Sequence, residues 1–122
     1  MERRIQKFEN HIIICGLVSV DQQVLHQLHE DGIPLVVIDQ GAEAKSGLLE
    51  GVLYIDGDAT EDNVLEWAGI ERASGLVATL PDDAKNVFVA LTARGMNAKL
   101  QIVARTERKE SEETPDRSRQ AY

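Results

Sequence analysis

Cysteine is all but missing from this 122-residue chain, with Cys15 the single example. An internal disulfide framework is therefore excluded, and a reducing compartment, by default the cytoplasm, suits the protein. Aromatic residues make up only 4% of the sequence, and no basic stripe with interleaved aromatics runs through it. Positive charge is also short. Residues 10–104 carry five basic and fourteen acidic side chains, and the whole chain has a net charge of -8. Such a surface repels a phosphate backbone, which argues against nucleic acid as a partner. Long apolar runs are lacking too. The stretch from Ile12 to Val18 is far below the roughly 20 residues a helix needs to span a bilayer, and no basic, apolar and small-residue succession points to secretion.

What is there fits one domain, with 43% apolar residues to build a core. Ile12-Ile13-Ile14-Cys15 is a β-branched run ending at Gly16, which predicts a strand buried on both faces. Ser19 and Gln22 have the form of a capping box, and Val20, Val24, Leu25 and Leu28 share one face of a helix over about 19–30. Asp31-Gly32 stops it, and Leu35 to Ile38 gives a second buried strand ending at Asp39. The pattern repeats. A short helix is expected over about 42–50, a third strand over 52–55, and a helix capped by Thr60 that carries Val64, Leu65 and Ala68 and ends at Gly69. Leu76 to Leu80 reads as the fourth strand. Pro81-Asp82 opens a helix through Val87, Ala90 and Leu91 that Gly95 closes, and Leu100 to Ala104 is the fifth strand.

Strands and helices alternating at this spacing predict an α/β fold. The expected architecture is a Rossmann-like, doubly wound parallel sheet of about five strands in the order 3-2-1-4-5, with helices on both faces. The domain occupies residues 10–105. Residues 1–9 form a lead-in linker that fits either a short amphipathic helix or a solvated arm, and 106–122 is a polar tail expected to fray or be disordered.

A dinucleotide-binding Rossmann turn places three glycines after its first strand. Here the positions read Gly16-Leu17-Val18-Ser19-Val20-Asp21, with only the first glycine kept. Val18 blocks close approach of a diphosphate, and Asp21 competes with it for the amides of the helix start. Asp39 ends the second strand where an acidic side chain accepts ribose hydroxyls, favouring a 2'-hydroxyl over a 2'-phosphate; its alternative role is to form a turn. Thr79, Leu80 and Asp82 flank the same crevice or serve as plain caps.

No constellation points to catalysis. His26 and His29 lie three apart beside Glu30 on one helix, which is not zincin spacing. Ser19 lacks the glycines of a nucleophile elbow, and Cys15 has no basic neighbour to activate it. Asp56 with Asp58, and Asp82 with Asp83, are too few for the about six to eight oxygens calcium prefers unless the pairs converge.

Read in order, His11-Ile12-Ile13-Ile14-Cys15-Gly16, Val36-Val37-Ile38-Asp39, Gly57-Asp58-Ala59-Thr60, Ala68-Gly69-Ile70, Leu76-Val77-Ala78, Asp82 to Phe88 and Ile102-Val103-Ala104-Arg105 resemble an RCK domain. This is the regulator of potassium conductance, also called the TrkA N-terminal domain. The resemblance covers roughly residues 10–105, and Arg3 to Asn10 looks like the linker from a channel's last membrane helix. It implies a cytoplasmic, non-enzymatic gating domain that forms homodimers or higher oligomers and works beneath a potassium channel pore or a transporter's membrane subunit. Its implied ligand is an adenine nucleotide (AMP, ADP or ATP) or NAD(H), disfavoured on the phosphate side by the two lost glycines. By the resemblance Asp58 lies beside the adenine, Ala59 leaves room for the ring, and Ser19 stands where many relatives have a phosphate-pairing arginine. Relatives continue past the fifth strand with another helix and strand, where this chain has its charged tail.

The candidate cofactor-binding residues are thus Gly16, Ser19, Asp39, Gln40, Asp58, Ala59, Thr79, Leu80 and Asp82, with no catalytic or metal-binding residue assigned. Two other readings stay open. One is a fragment of an NAD-dependent oxidoreductase, the other a structural oligomerisation module that binds no ligand.

Overall fold

β-Branched runs supply the centre of the sheet. In the computed structural model, which describes residues 2–17, 22–49 and 51–105, β1 (Ile12–Cys15) lies in parallel between β2 (Leu35–Asp39) and β4 (Gly75–Ala78). β3 (Leu53–Asp56) pairs with β2, and β5 (Gln101–Ala104) with β4. The order is β3-β2-β1-β4-β5, all parallel, as the sequence predicts.

Alternation along the central strands sends side chains to two separate apolar layers. Ile13, Cys15, Val36, Ile38, Leu76 and Ala78 pack with Val64 and Leu65 of α3 (Asp62–Trp67) and with Val89 and Ala93 of α4 (Asp83–Met96). Ile14, Leu35 and Val37 face the other way, onto Leu25 of α2 (Gln22–Glu30) and onto Ala42 and Leu49 of a 3₁₀ segment, Glu43–Leu49. Both faces are covered, so every residue of β2 is buried.

The lead-in is a helix, α1 (Glu2–Gln6), and it docks. Ile5 joins the first apolar layer at 1% exposure. Arg72 secures it, its side chain donating to the carbonyls of Phe8 (2.9 Å) and Ile5 (3.4 Å).

Several local expectations are corrected. Ser19, with Val18, Val20 and Asp21, lies outside the described residues, so the capping box does too; α2 is described from Gln22. Val24 is exposed while Leu25 is buried, because the turn of α2 that meets the sheet is centred on Leu25. The short helix after β2 is 3₁₀, broken at Lys45. Thr60 does not cap α3. Its hydroxyl turns back onto Asp58, and Glu61 takes the N-cap position without a side-chain bond. Gly95 lies inside α4, which runs on to Met96 and ends at Asn97. Gly69 and Gly32 do end helices. Ile70 and Gly69 donate to Leu65 and Glu66 carbonyls, and Ile33 and Gly32 to Leu28 and His29, the paired bonds of a Schellman turn.

Candidate functional site

A parallel sheet brings the carboxyl ends of its strands to one edge, and the loops leaving β2, β3 and β4 meet there. Gly16 follows β1 with φ +97°, and a Cβ on it would stand 2.7 Å from the Thr79 carbonyl oxygen. Glycine is thus required by the adjoining β4 backbone. Thr79 braces the same crossing. Its hydroxyl sits 3.0 Å from both the Cys15 and Gly16 carbonyls, and its amide donates to Cys15.

Asp39 is buried at the end of β2, and both of its carboxylate oxygens have partners. Oδ1 accepts from the Leu17 amide at 3.0 Å, and Oδ2 receives the Lys45 ammonium at 2.8 Å. Asp39 therefore ties the loop after β1 to the end of β2, which makes it a turn former as well as a candidate ribose acceptor. On β3, Asp56 accepts from the amides of Gly41 and Glu43. Those donors favour its charged form and hold its carboxyl below the usual carboxylate range. This contact fixes the loop from which Lys45 extends.

Asp58 folds the loop after β3 onto itself. Its Oδ1 accepts from the amide and the hydroxyl of Thr60 at 2.9 and 2.7 Å, and these bonds lower its pKa. The loop after β4 is shaped by Asn86, buried in α4. Its side chain accepts from the Leu80 amide and donates to the carbonyls of Leu80 and Arg105. Asp82 caps α4, accepting from Ala84 and Lys85.

Together these loops enclose a cleft of about 140 Å³, lined by Asp39, Gln40, Lys45, Gly57, Asp58, Ala59, Leu80 and Pro81. Five of the nine candidate residues meet here: Asp39, Gln40, Asp58, Ala59 and Leu80. Gly16, Thr79 and Asp82 do not line it. Thr79 and Asp82 instead bond backbone groups at the β1–β4 crossing and the start of α4, and Gly16 leaves room for the Thr79 carbonyl. Ser19 lies outside the described residues. Lys45, Gly57 and Pro81 also line the cleft, and nothing in the spacing of the sequence singles them out.

The cleft is chemically mixed. Asp39 and Asp58 offer carboxylates, Lys45 a cation, and Ala59, Leu80 and Pro81 an apolar wall. An adenosine moiety matches that mixture, with a hydroxylated ribose for the carboxylates and a flat base for the apolar side. Metal chemistry gets little support. Asp56, Asp58 and Asp82 each have carboxylate oxygens engaged by backbone amides, and no group of three potential ligands gathers among the described residues. Cys15 is buried, which pushes its thiol up to about 12, and the exposed His26 and His29 share no bond with it.

The comparisons with known proteins agree with this fold. The family model of the TrkA-N domain matches residues 12–118. Two relatives from Methanocaldococcus jannaschii, potassium channel protein 1 and probable potassium channel protein 2, are 38% and 39% identical over 111 and 115 residues. These matches take in 88% and 91% of this chain, and 33% and 34% of the relatives. The chain thus spans about a third of their length. Among solved structures, the TrkA-N domain of the inner membrane protein YbaL from Escherichia coli is 28% identical with a TM-score of 0.76, covering 85% of this chain and 78% of that one. The GsuK channel bound to NAD shares the fold at 22% identity and a TM-score of 0.74, covering 93% of this chain and 22% of that one.

Proposed function

The chain belongs to the TrkA-N domain family, and from that membership we propose that it is the ligand-sensing, gating domain of a potassium channel or potassium transporter and works on the cytoplasmic side of the membrane. Its relatives among named potassium channel proteins support the channel. Among the described residues no helix is long and apolar enough to cross a membrane, which fits a domain that acts on a pore formed by other segments or subunits. The domain catalyses nothing. It binds, and the difference in affinity between two conformations biases the pore.

The ligand is an adenine nucleotide or NAD(H), held by its adenosine part. One observation carries this reading: Asp39, Asp58, Ala59 and Leu80, from three successive strand ends, line a single cleft. Self-association accompanies binding. α4 exposes Val87, Phe88 and Leu91 at 45, 52 and 69%, and β5, at the sheet edge, exposes Val103 at 62%. Apolar surface of this kind on a small domain supports an interface between copies.

Thermal unfolding with AMP, ADP, ATP, NAD and NADH tests the reading. A ligand that binds only the folded chain at about 100 times its Kd adds about 2.7 kcal/mol, enough to raise the midpoint by several degrees. At least one of the five is expected to do so. A midpoint unmoved by all five would favour a scaffold without a ligand.

A further inference from the structure

On the reading that the cleft takes the adenosine part of a nucleotide, one side chain stands in the ligand's way. A ribose at the end of the second strand donates its hydroxyls to the strand-ending carboxylate. Here Oδ1 of that carboxylate already accepts from the Leu17 amide, and Oδ2 holds the Lys45 ammonium at 2.8 Å. The Asp39 side chain is 7% exposed and that of Lys45 36%, so the ammonium covers part of the little surface Asp39 offers. Lys45 is also the only basic residue among the described residues of the cleft lining.

We propose that Lys45 is a specificity-determining residue, which competes with the ribose hydroxyls for Asp39 and leaves the cleft nearly indifferent to the ribose 2'-hydroxyl. The ammonium adds to its hydrogen bond the attraction between opposite charges, which a neutral hydroxyl on the same carboxylate lacks. A hydroxyl that displaces the ammonium therefore gives up that attraction. The backbone that carries the lysine is fixed beside Asp39. Asp56 holds the amides of Gly41 and Glu43 and with them the start of the 3₁₀ segment that carries Lys45. Asp56 itself lies close enough for the lysine's charge to favour its ionised form. The ligand's affinity then comes from its base against Ala59, Leu80 and Pro81, with the diol contributing little.

The test compares AMP with 2'-deoxy-AMP by titration calorimetry on the wild-type chain and on Lys45→Met, which keeps the aliphatic stem and removes the charge. Wild type is expected to bind the two nucleotides within about threefold of each other, whereas in Lys45→Met AMP tightens about tenfold and 2'-deoxy-AMP does not, as one freed hydrogen bond to a carboxylate would give. Adding Asp39→Asn to Lys45→Met should close the gap again. The wild-type comparison needs no variant, and a wild-type preference for AMP of about tenfold or more would overturn the assignment. So would equal AMP affinity in wild type and a folded Lys45→Met. If neither protein binds AMP or 2'-deoxy-AMP, the nucleotide reading of the cleft fails, and this inference with it.

Discussion

Asp39 and Asp58 each spend a carboxylate on a neighbouring amide, so the groups that would bind a ligand also hold the loops that shape its site. Sensitivity to acid follows at Asp56 and Asp58. Asp56 and Asp58 have lowered pKa values in the folded chain because backbone amides, and for Asp58 the Thr60 hydroxyl, favour their ionised forms. The stability they contribute is present above the ordinary carboxylate range of about 4 and is lost as pH falls through their folded values. His11 acts earlier. Its Nε2 lies 2.7 Å from the Ala68 carbonyl and so donates to it, leaving Nδ1 unprotonated and buried without a partner. Burial lowers its pKa, the Ala68 bond opposes this, and the nearby Arg72 charge adds to the lowering. The fold thus binds the neutral ring. Its contribution is complete above about pH 6.5 and declines as pH drops from there toward the folded value. Melting temperature should therefore fall between pH 7 and pH 5 and again below about pH 4. In His11→Gln the first decline should vanish; a flat wild-type profile from pH 7 to 5 would contradict this assignment.

At the scale of elements, α4 shows what a sequence discloses and what it hides. The strand runs, the helix-ending Gly32 and Gly69 and the Asp82 cap are visible because each rests on local chemistry, and they recur in the fold. The buried face of α4 is not visible in that way. Hydrophobic spacing selects Val87, Ala90 and Leu91, yet the helix turns Asn86, Val89 and Ala93 inward. A polar residue takes the buried position because three backbone groups at the ends of β4 and β5 need partners there. Thr60 departs from its predicted capping role for a similar reason, since Asp58 reaches its hydroxyl before α3 begins. Lys45 could not be assigned to the cleft from spacing alone, because the 3₁₀ segment and the Asp56 contacts decide where it emerges. The misread face has its own consequence. With Val87, Phe88 and Leu91 exposed, Phe88→Glu should leave the melting temperature nearly unchanged and shift the mass measured by light scattering toward the monomer. A wild-type chain that is monomeric at high concentration would remove the self-association proposal.

Over the whole molecule, the sheet divides labour between its two ends. At the amino end of the strands, Arg72 and Ile5 bind the lead-in helix into the same apolar layer that supports α3 and α4. At the carboxyl end, loops from β2, β3 and β4 form the cleft. A ligand that draws those loops together acts on elements packed against that shared layer, which gives binding a physical connection to the lead-in. The claim beneath this account is that the cleft is where an adenine nucleotide binds. Backbone amide chemical shifts of the ¹⁵N-labelled chain, followed as AMP is added, test it directly. The account predicts saturable perturbations concentrated at Asp39 to Lys45, Gly57 to Thr60 and Leu80. Perturbations centred on the exposed face of α4, or none at millimolar AMP, would contradict it.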